Sequence, residues 1–217
     1  MPKLILVEGK SGSGKTTLAK YMETDMNYGR VAIDDYIDEL RKPSNLKLGF
    51  FSYQMNRAEP FSHRFYRERG KLPYTMDTAL DVVRKHAEEM QQRILIPAED
   101  AFHIWYAVWD RMLSDRDSAL ARGDTVMEAF TTTYSRTHLF RSDTDVERYL
   151  VRLLVPDAAL VQRLVDGRGW DAEVAGRRTS RPLNTSAPGS GITLLEYRNE
   201  TPEDLDKIKE DIRKRLA

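Results

Sequence analysis

Apolar residues in this chain come in short unbroken runs separated by stretches of helical spacing. Leu4-Ile5-Leu6-Val7, following Lys3, predicts a buried strand over residues 3–7. Between Thr17 and Glu23 the apolar positions Leu18, Tyr21 and Met22 fall at i, i+3 and i+4, which predicts a helix. Arg30 to Ile33 predicts a second strand, ending in Asp34-Asp35. From Pro43 to about Gly123 the pattern turns helical. Thr78 to Ile96 predicts one amphipathic helix (Leu80, Val83, Ala87, Met90, Ile94). A longer helix follows Pro97, with Phe102, Trp105, Tyr106, Trp109, Met112 and Leu113 along one side and Gly123 as its stop. Thr125 to Phe130 and Glu147 to Val155 predict the third and fourth strands. Asp157 to Val165 predicts a helix stopped near Gly167, and Asp171 starts another that reaches about Arg178. Beyond the loop-like Leu183 to Gly191, a fifth strand is expected over Ile192 to Tyr197. Thr201 then caps a last helix, with Pro202 at its first position and Glu203 and Asp204 in its first turn.

Strands separated by helices predict an α/β fold, a five-stranded parallel sheet covered on both faces as a three-layer sandwich. The expected organisation is a single domain. Its core is residues 1–42 and 124–217, with a helical insert over about 43–123 and an arginine-bearing lid over about 163–191. Open sheets of this class bind ligands at the carboxyl ends of their strands, which groups Gly9, Asp34, Asp35 and Glu128 around one crevice.

Between the first strand and the first helix runs Gly9-Lys10-Ser11-Gly12-Ser13-Gly14-Lys15-Thr16, which fits G-x-x-x-x-G-K-[ST] at every fixed position. Strand, glycine-rich turn and helix, in that order, are the context of a phosphate-binding P-loop. The glycines allow backbone N–H groups to converge on a phosphate, and the helix N-terminus adds positive potential. Lys15 would reach the β- and γ-phosphates, and Thr16 would offer its hydroxyl to Mg²⁺. The expected nucleotide site is this loop together with Thr17, and the expected cofactors are ATP and Mg²⁺.

Composition narrows the class. Lys and Arg total 34 and Asp and Glu total 34, so no global positive charge draws nucleic acid to the surface. No apolar run is long enough to span a membrane, so no membrane partner is expected. The apolar first strand follows the N-terminus directly, so no signal peptide is expected, and there are no cysteines, which rules out disulfides and thiolate chemistry. A cytoplasmic protein is expected, in the host cytoplasm for a phage-encoded one.

Several residues outside the loop bear on chemistry. Asp34-Asp35 has two readings: a carboxylate that takes the proton of an acceptor hydroxyl, or a cap on a helix starting at Tyr36. Glu128, charged within the apolar Val126-Met127-Glu128-Ala129-Phe130, either holds a water on Mg²⁺ or forms a structural ion pair. Thr131-Thr132-Thr133 reads as a substrate contact or a turn. Transferring phosphoryl oxygens call for guanidinium groups, and the candidates are Arg136, Arg163, Arg168, Arg177, Arg178 and Arg181. Of these, Arg163 and Arg168 flank Val165-Asp166-Gly167, after the fourth strand, where a lid would supply charge, and are expected to act in catalysis. Arg57, His63, Arg64, Arg67, Arg69 and Lys71 interleave with Phe61, Phe65, Tyr66 and Tyr74. That segment reads as a polyanion-binding surface, with Arg64 as a substrate contact, or as a solvated helix face. None of the four histidines stands at metal-ligand spacing.

Three stretches together resemble the P-loop kinases that phosphorylate small molecules and nucleic-acid ends, and most of all the polynucleotide 5′-hydroxyl kinases. Gly9 to Thr17 matches their phosphate loop. Ile33-Asp34-Asp35-Tyr36 matches their Asp-Asp-Tyr, whose second aspartate is the general base, implying that role for Asp35. Ala119 to Val126, followed by Arg136, is similar to their succession of helix, glycine, strand and arginine. Residues 43–115 match nothing in that family. Asp38 stands where the family has arginine, and Glu128-Ala129-Phe130-Thr131 replaces its Asp-Thr-Asn. The resemblance implies γ-phosphoryl transfer from ATP to a hydroxyl of a nucleic acid or nucleoside, with Lys15 and Asp35 in catalysis. Asp34, Glu128, Arg136 and Arg64 are expected toward the acceptor from the reading of the residues themselves. A phage-type kinase acting on a hydroxymethyl pyrimidine in DNA is a related reading. The alternatives are a nucleoside-monophosphate kinase, a small-metabolite kinase of the gluconate type, and a non-catalytic nucleotide-binding switch.

Overall fold

The computed structural model describes residues 1–58, 62–128, 133–141, 145–180, 183 and 185–216. Its strands are β1 (Lys3–Gly9), β2 (Gly29–Ala32), β3 (Thr125–Glu128), β4 (Glu147–Leu154) and β5 (Ile192–Arg198). The early helices are α1 (Lys15–Asp25), α2 (Ile33–Arg41), α3 (Leu48–Arg57), α4 (Ser62–Glu68), α5 (Met76–Lys85) and α6 (Ala87–Gln91). The later ones are α7 (Ala98–Leu120), α8 (Thr133–Phe140), α9 (Asp157–Arg168), α10 (Ala172–Thr179) and α11 (Pro202–Leu216). The sheet order is β2-β3-β1-β4-β5, with β1 parallel to β3 and β4 and β4 parallel to β5. This is the α/β architecture that the alternation of periods predicts.

Two compact units divide the chain, residues 1–31 with 116–217, and residues 32–115. In the first, β1 alternates its side chains between the two faces of the sheet. Ile5 and Val7 join Val126, Val151, Leu153 and Leu195 in a core closed by Leu18 and Met22 of α1 and Ile208, Ile212 and Leu216 of α11. Thr201 and Asp204 cap α11 reciprocally: Thr201 N–H donates to Asp204 Oδ2 at 2.9 Å, and Asp204 N–H to Thr201 Oγ1 at 3.3 Å. The second unit packs around aromatic rings. Phe65 is fully buried, with its ring edge-on to Trp105 at 5.3 Å and to Tyr106 at 4.8 Å.

Several boundaries differ from the sequence pattern. The second strand stops at Ala32, because Ile33 is already the first residue of α2, and this puts Asp34 and Asp35 in a helical first turn. Ala32 is the N-cap there, so neither aspartate caps the helix. The single helix expected over residues 78–96 is broken at His86 (φ −109°, ψ 18°), whose ring nitrogen lies 2.7 Å from Asp100 Oδ2. Apolar periodicity runs on through that break and conceals it. Ile94 lies past the end of α6 and is half exposed. α9 ends with Gly169 in the left-handed region (φ 63°), two residues beyond the expected stop at Gly167.

Candidate nucleotide-binding site

β1 carries the chain straight into the glycine-rich loop, and the loop closes on its neighbours. A side chain at Gly9 would come within 2.9 Å of the Leu153 carbonyl oxygen, so only glycine passes there. Ser13 N–H donates to the Lys10 carbonyl at 3.1 Å. Gly14 caps α1 from a left-handed conformation (φ 92°). Lys15 Nζ folds back and donates to the Lys10 carbonyl at 3.0 Å. Thr16 Oγ1 donates to Glu128 Oε1. Glu128, paired in register with Val7, is almost fully buried, and Arg30 Nη2 lies 3.5 Å from its other oxygen. A buried carboxylate needs such partners. The Thr16 hydroxyl and the Glu128 carboxylate bring two hard oxygen donors together at the start of α1. That donor set suits Mg²⁺, which binds through one or two protein oxygens and completes its shell with water and phosphate.

Two residues absent from the sequence expectations hold the loop. Asn199, at the end of β5, donates its buried Nδ2 to the Ser13 carbonyl at 2.8 Å, and its own N–H donates to the Leu154 carbonyl at 2.9 Å. Glu8, immediately before Gly9, lies in a buried ionic row. It accepts from Arg152 Nε at 2.6 Å and from Arg136 Nη2 at 2.8 Å. Burial works against the charge of Arg152, but its bonds to Glu8 and Glu196 outweigh that and raise its pKa above the usual arginine value. Glu8 carried the same signal as Glu128, a lone charge inside an apolar strand. Asn199, between Arg198 and Glu200, carried none.

Arg163 donates to the carbonyls of Gly12 at 3.3 Å and Asn199 at 2.9 Å, so its guanidinium ties the loop to the β5–α11 junction. Lys10 Nζ bridges α9 and α10: Asp157 Oδ1, at the start of α9 and outside the expected lid, at 2.6 Å, and the Thr179 carbonyl, within it, at 2.7 Å. Arg177 lies 3.7 Å from Glu173 on the exposed side of α10. The side chains of Arg168 and Arg178 lie outside the described residues, as do Arg181, Phe61, Ala129, Phe130, Thr131 and Thr132. Beside Lys10 opens a cavity of about 460 Å³, floored by Leu153, Leu154, Val155, Pro156 and Leu183 and edged by Thr185, Arg198 and Glu200.

Asp34 and Asp35 are exposed in the first turn of α2, within the second unit. Asp38 pairs there with Arg41 at 2.6 Å and Lys42 at 2.8 Å. The basic segment is largely satisfied inside its own unit. Arg64 reaches Glu68 and Glu99, both at 2.7 Å, and lies over the Phe102 ring, while Arg69 reaches Asp110 at 2.8 Å. Among the described residues no group of three or more His, Cys, Asp or Glu could hold a metal, and no helix is long and apolar enough to cross a membrane.

No protein-family model and no curated protein sequence matches the chain. Solved structures do share its fold. A Chloroflexus aurantiacus J-10-fl protein with a provisional kinase assignment aligns at TM-score 0.57 and 16% identity, over 99% of this chain and 96% of its own. TT1252 from Thermus thermophilus aligns at TM-score 0.54 and 16% identity, over 100% of this chain and 98% of its own. At such identities the likeness speaks for architecture.

Proposed function

We propose that this chain is an ATP-dependent kinase that moves the γ-phosphoryl group to a hydroxyl acceptor. The observation that carries the reading is the phosphate loop itself, with Lys15 folded over it and Thr16 bonded to Glu128 at its exit. The triphosphate occupies the loop, and Lys15 exchanges the Lys10 carbonyl for phosphate oxygens. The nucleoside extends into the cavity beside Lys10, whose apolar floor suits a base. Thr16 and Glu128 would hold Mg²⁺, directly and through water, and that ion would neutralise charge on the β- and γ-oxygens. Asp35 receives the acceptor proton while the acceptor oxygen bonds to the γ-phosphorus and the bridging bond to the β-phosphate breaks, releasing ADP. Arg163 positions the loop, and a lid arginine such as Arg168 answers the charge of the transferring group.

The acceptor is a nucleic acid or nucleoside in the first reading, including a hydroxymethyl base in DNA. One observation favours a small acceptor, a nucleoside or metabolite, over a long polynucleotide. Arg64 and Arg69, the candidates for backbone phosphate contacts, already pair with carboxylates of their own unit. The test is labelled ATP offered with 5′-hydroxyl oligonucleotides, hydroxymethylpyrimidine DNA, nucleosides, nucleoside monophosphates and sugars. Label moving to one class names the acceptor, and the Lys15→Ala variant loses the transfer. Unchanged nucleotide affinity and turnover in Lys15→Ala would refute the reading.

A further inference from the structure

The buried ionic row links the phosphate loop to the far wall of the neighbouring cavity. Glu8, Arg152 and Glu196 are register partners on β1, β4 and β5, so their side chains stand in line on one face of the sheet. Arg152 spans its two neighbours, with Nε to Glu8 at 2.6 Å and Nη1 to Glu196 at 3.0 Å. Arg136 reaches the same row from α8, with Nη2 on the second oxygen of Glu8 at 2.8 Å. Each arginine has a further N–H, and both point to one acceptor, the Ser186 carbonyl. Arg152 Nη2 lies 3.0 Å from it and Arg136 Nη1 3.1 Å. Ser186 directly follows Thr185, which lines the cavity together with Leu183. At its other end the row stands one residue before Gly9.

Stability alone accounts poorly for such a cluster. Both arginines are 2% exposed, and apolar side chains of similar volume commonly stabilise a core as well as buried ions do. What apolar residues cannot supply is a fixed fork of donors. Two guanidinium groups held by one carboxylate define the position of one main-chain carbonyl.

We propose that Arg152 and Arg136 are positioning residues for nucleotide recognition, setting Ser186, and with it the cavity-lining Thr185, at the distance from the phosphate loop that a nucleoside requires. The inference rests on the nucleotide reading of the loop and cavity. Its consequence is selective: loosening the wall weakens the grip on nucleoside triphosphate and leaves the grip on bare polyphosphate alone.

The experiment compares Mg-ATP with Mg-tripolyphosphate, which reports on the loop without the cavity, in wild type and in Arg152→Lys. Lysine keeps a charge opposite Glu8 but cannot also reach Ser186 as a fork. ATP affinity is expected to fall about tenfold, the effect of one lost bond onto a buried carbonyl, with tripolyphosphate affinity within about twofold of wild type. Equal loss of both ligands, or loss of neither, overturns the proposal. Failure of wild type to bind either ligand refutes the nucleotide reading instead. Arg136→Lys removes the other donor and carries the same comparison should Arg152→Lys not fold. Hydrogen exchange on wild type is independent of both variants. ATP should protect the amides at 185–187 more than tripolyphosphate does, and equal protection overturns the proposal.

Discussion

Gly14 is where the geometry of the loop can be tested in free energy. Replacing it with alanine perturbs two things. The residue sits at φ 92°, and an L-residue in the left-handed region costs about 1–2 kcal/mol. The new Cβ would also lie 2.8 Å from Asn199 Nδ2, the atom that donates to the Ser13 carbonyl. Displacing Asn199 leaves that buried carbonyl without its donor, a further cost of about 1–3 kcal/mol. Together these amount to about 2–5 kcal/mol, and in a chain of this size each kcal/mol lowers the melting temperature by about 2–4 °C. Calorimetry on Gly14→Ala, Asn199→Ala and the double variant separates the two costs. Asn199→Ala alone loses the bond, and in the double variant no amide stands in the way of the new methyl group. The double variant is therefore expected to be less destabilised than the sum of the singles by about 1 kcal/mol or more. Strict additivity, or a Gly14→Ala melting temperature equal to wild type, would refute the reasoning.

Further outcomes follow from the site. Asp35→Asn should lower transfer to hydroxyl acceptors by about 10²–10⁴-fold while ATP affinity holds; undiminished transfer removes Asp35 from the mechanism. Glu128→Gln should raise the Mg²⁺ concentration for half-maximal turnover by about tenfold or more, and an unchanged magnesium titration would detach Glu128 from the metal. Burial holds the His103 imidazole below its ordinary 6.5, with Thr78 Oγ1 at 2.9 Å and the Tyr74 ring stacked on it. As pH falls below 6.5 the unfolded chain takes up this proton before the folded one does. Stability present above that pH is therefore lost as pH drops toward the depressed folded value. Melting curves of wild type and His103→Gln between about pH 7 and pH 5 should diverge in slope, and parallel curves would count against it.

The parts of the molecule that were readable in the sequence are those whose causes are local. β1, the loop and α1 announce themselves within residues 3–25, because an apolar run, a glycine pattern and a helical period each act over a few residues. Thr201 likewise caps α11 through a residue three positions on. What was hidden depends on sheet register. Glu8 meets Arg136 and Arg152 across separations of 128 and 144 residues, and only the strand order β3-β1-β4 brings them together. Asn199 and Arg163 act on main-chain carbonyls of the loop, an interaction that leaves no side-chain pattern to read. His86 shows the opposite difficulty, an apolar period that continues through a turn where the backbone does not.

The bond from Lys10 to the end of α10 also gives the protein an optical reporter of its own. Of its three tryptophans, Trp105 and Trp109 are buried in α7. Trp170 sits half-buried at the turn joining α9 to α10, whose last residue, Thr179, accepts from Lys10. Aqueous iodide should quench Trp170 alone. Its emission can then follow occupancy of the loop in real time, with no dye attached.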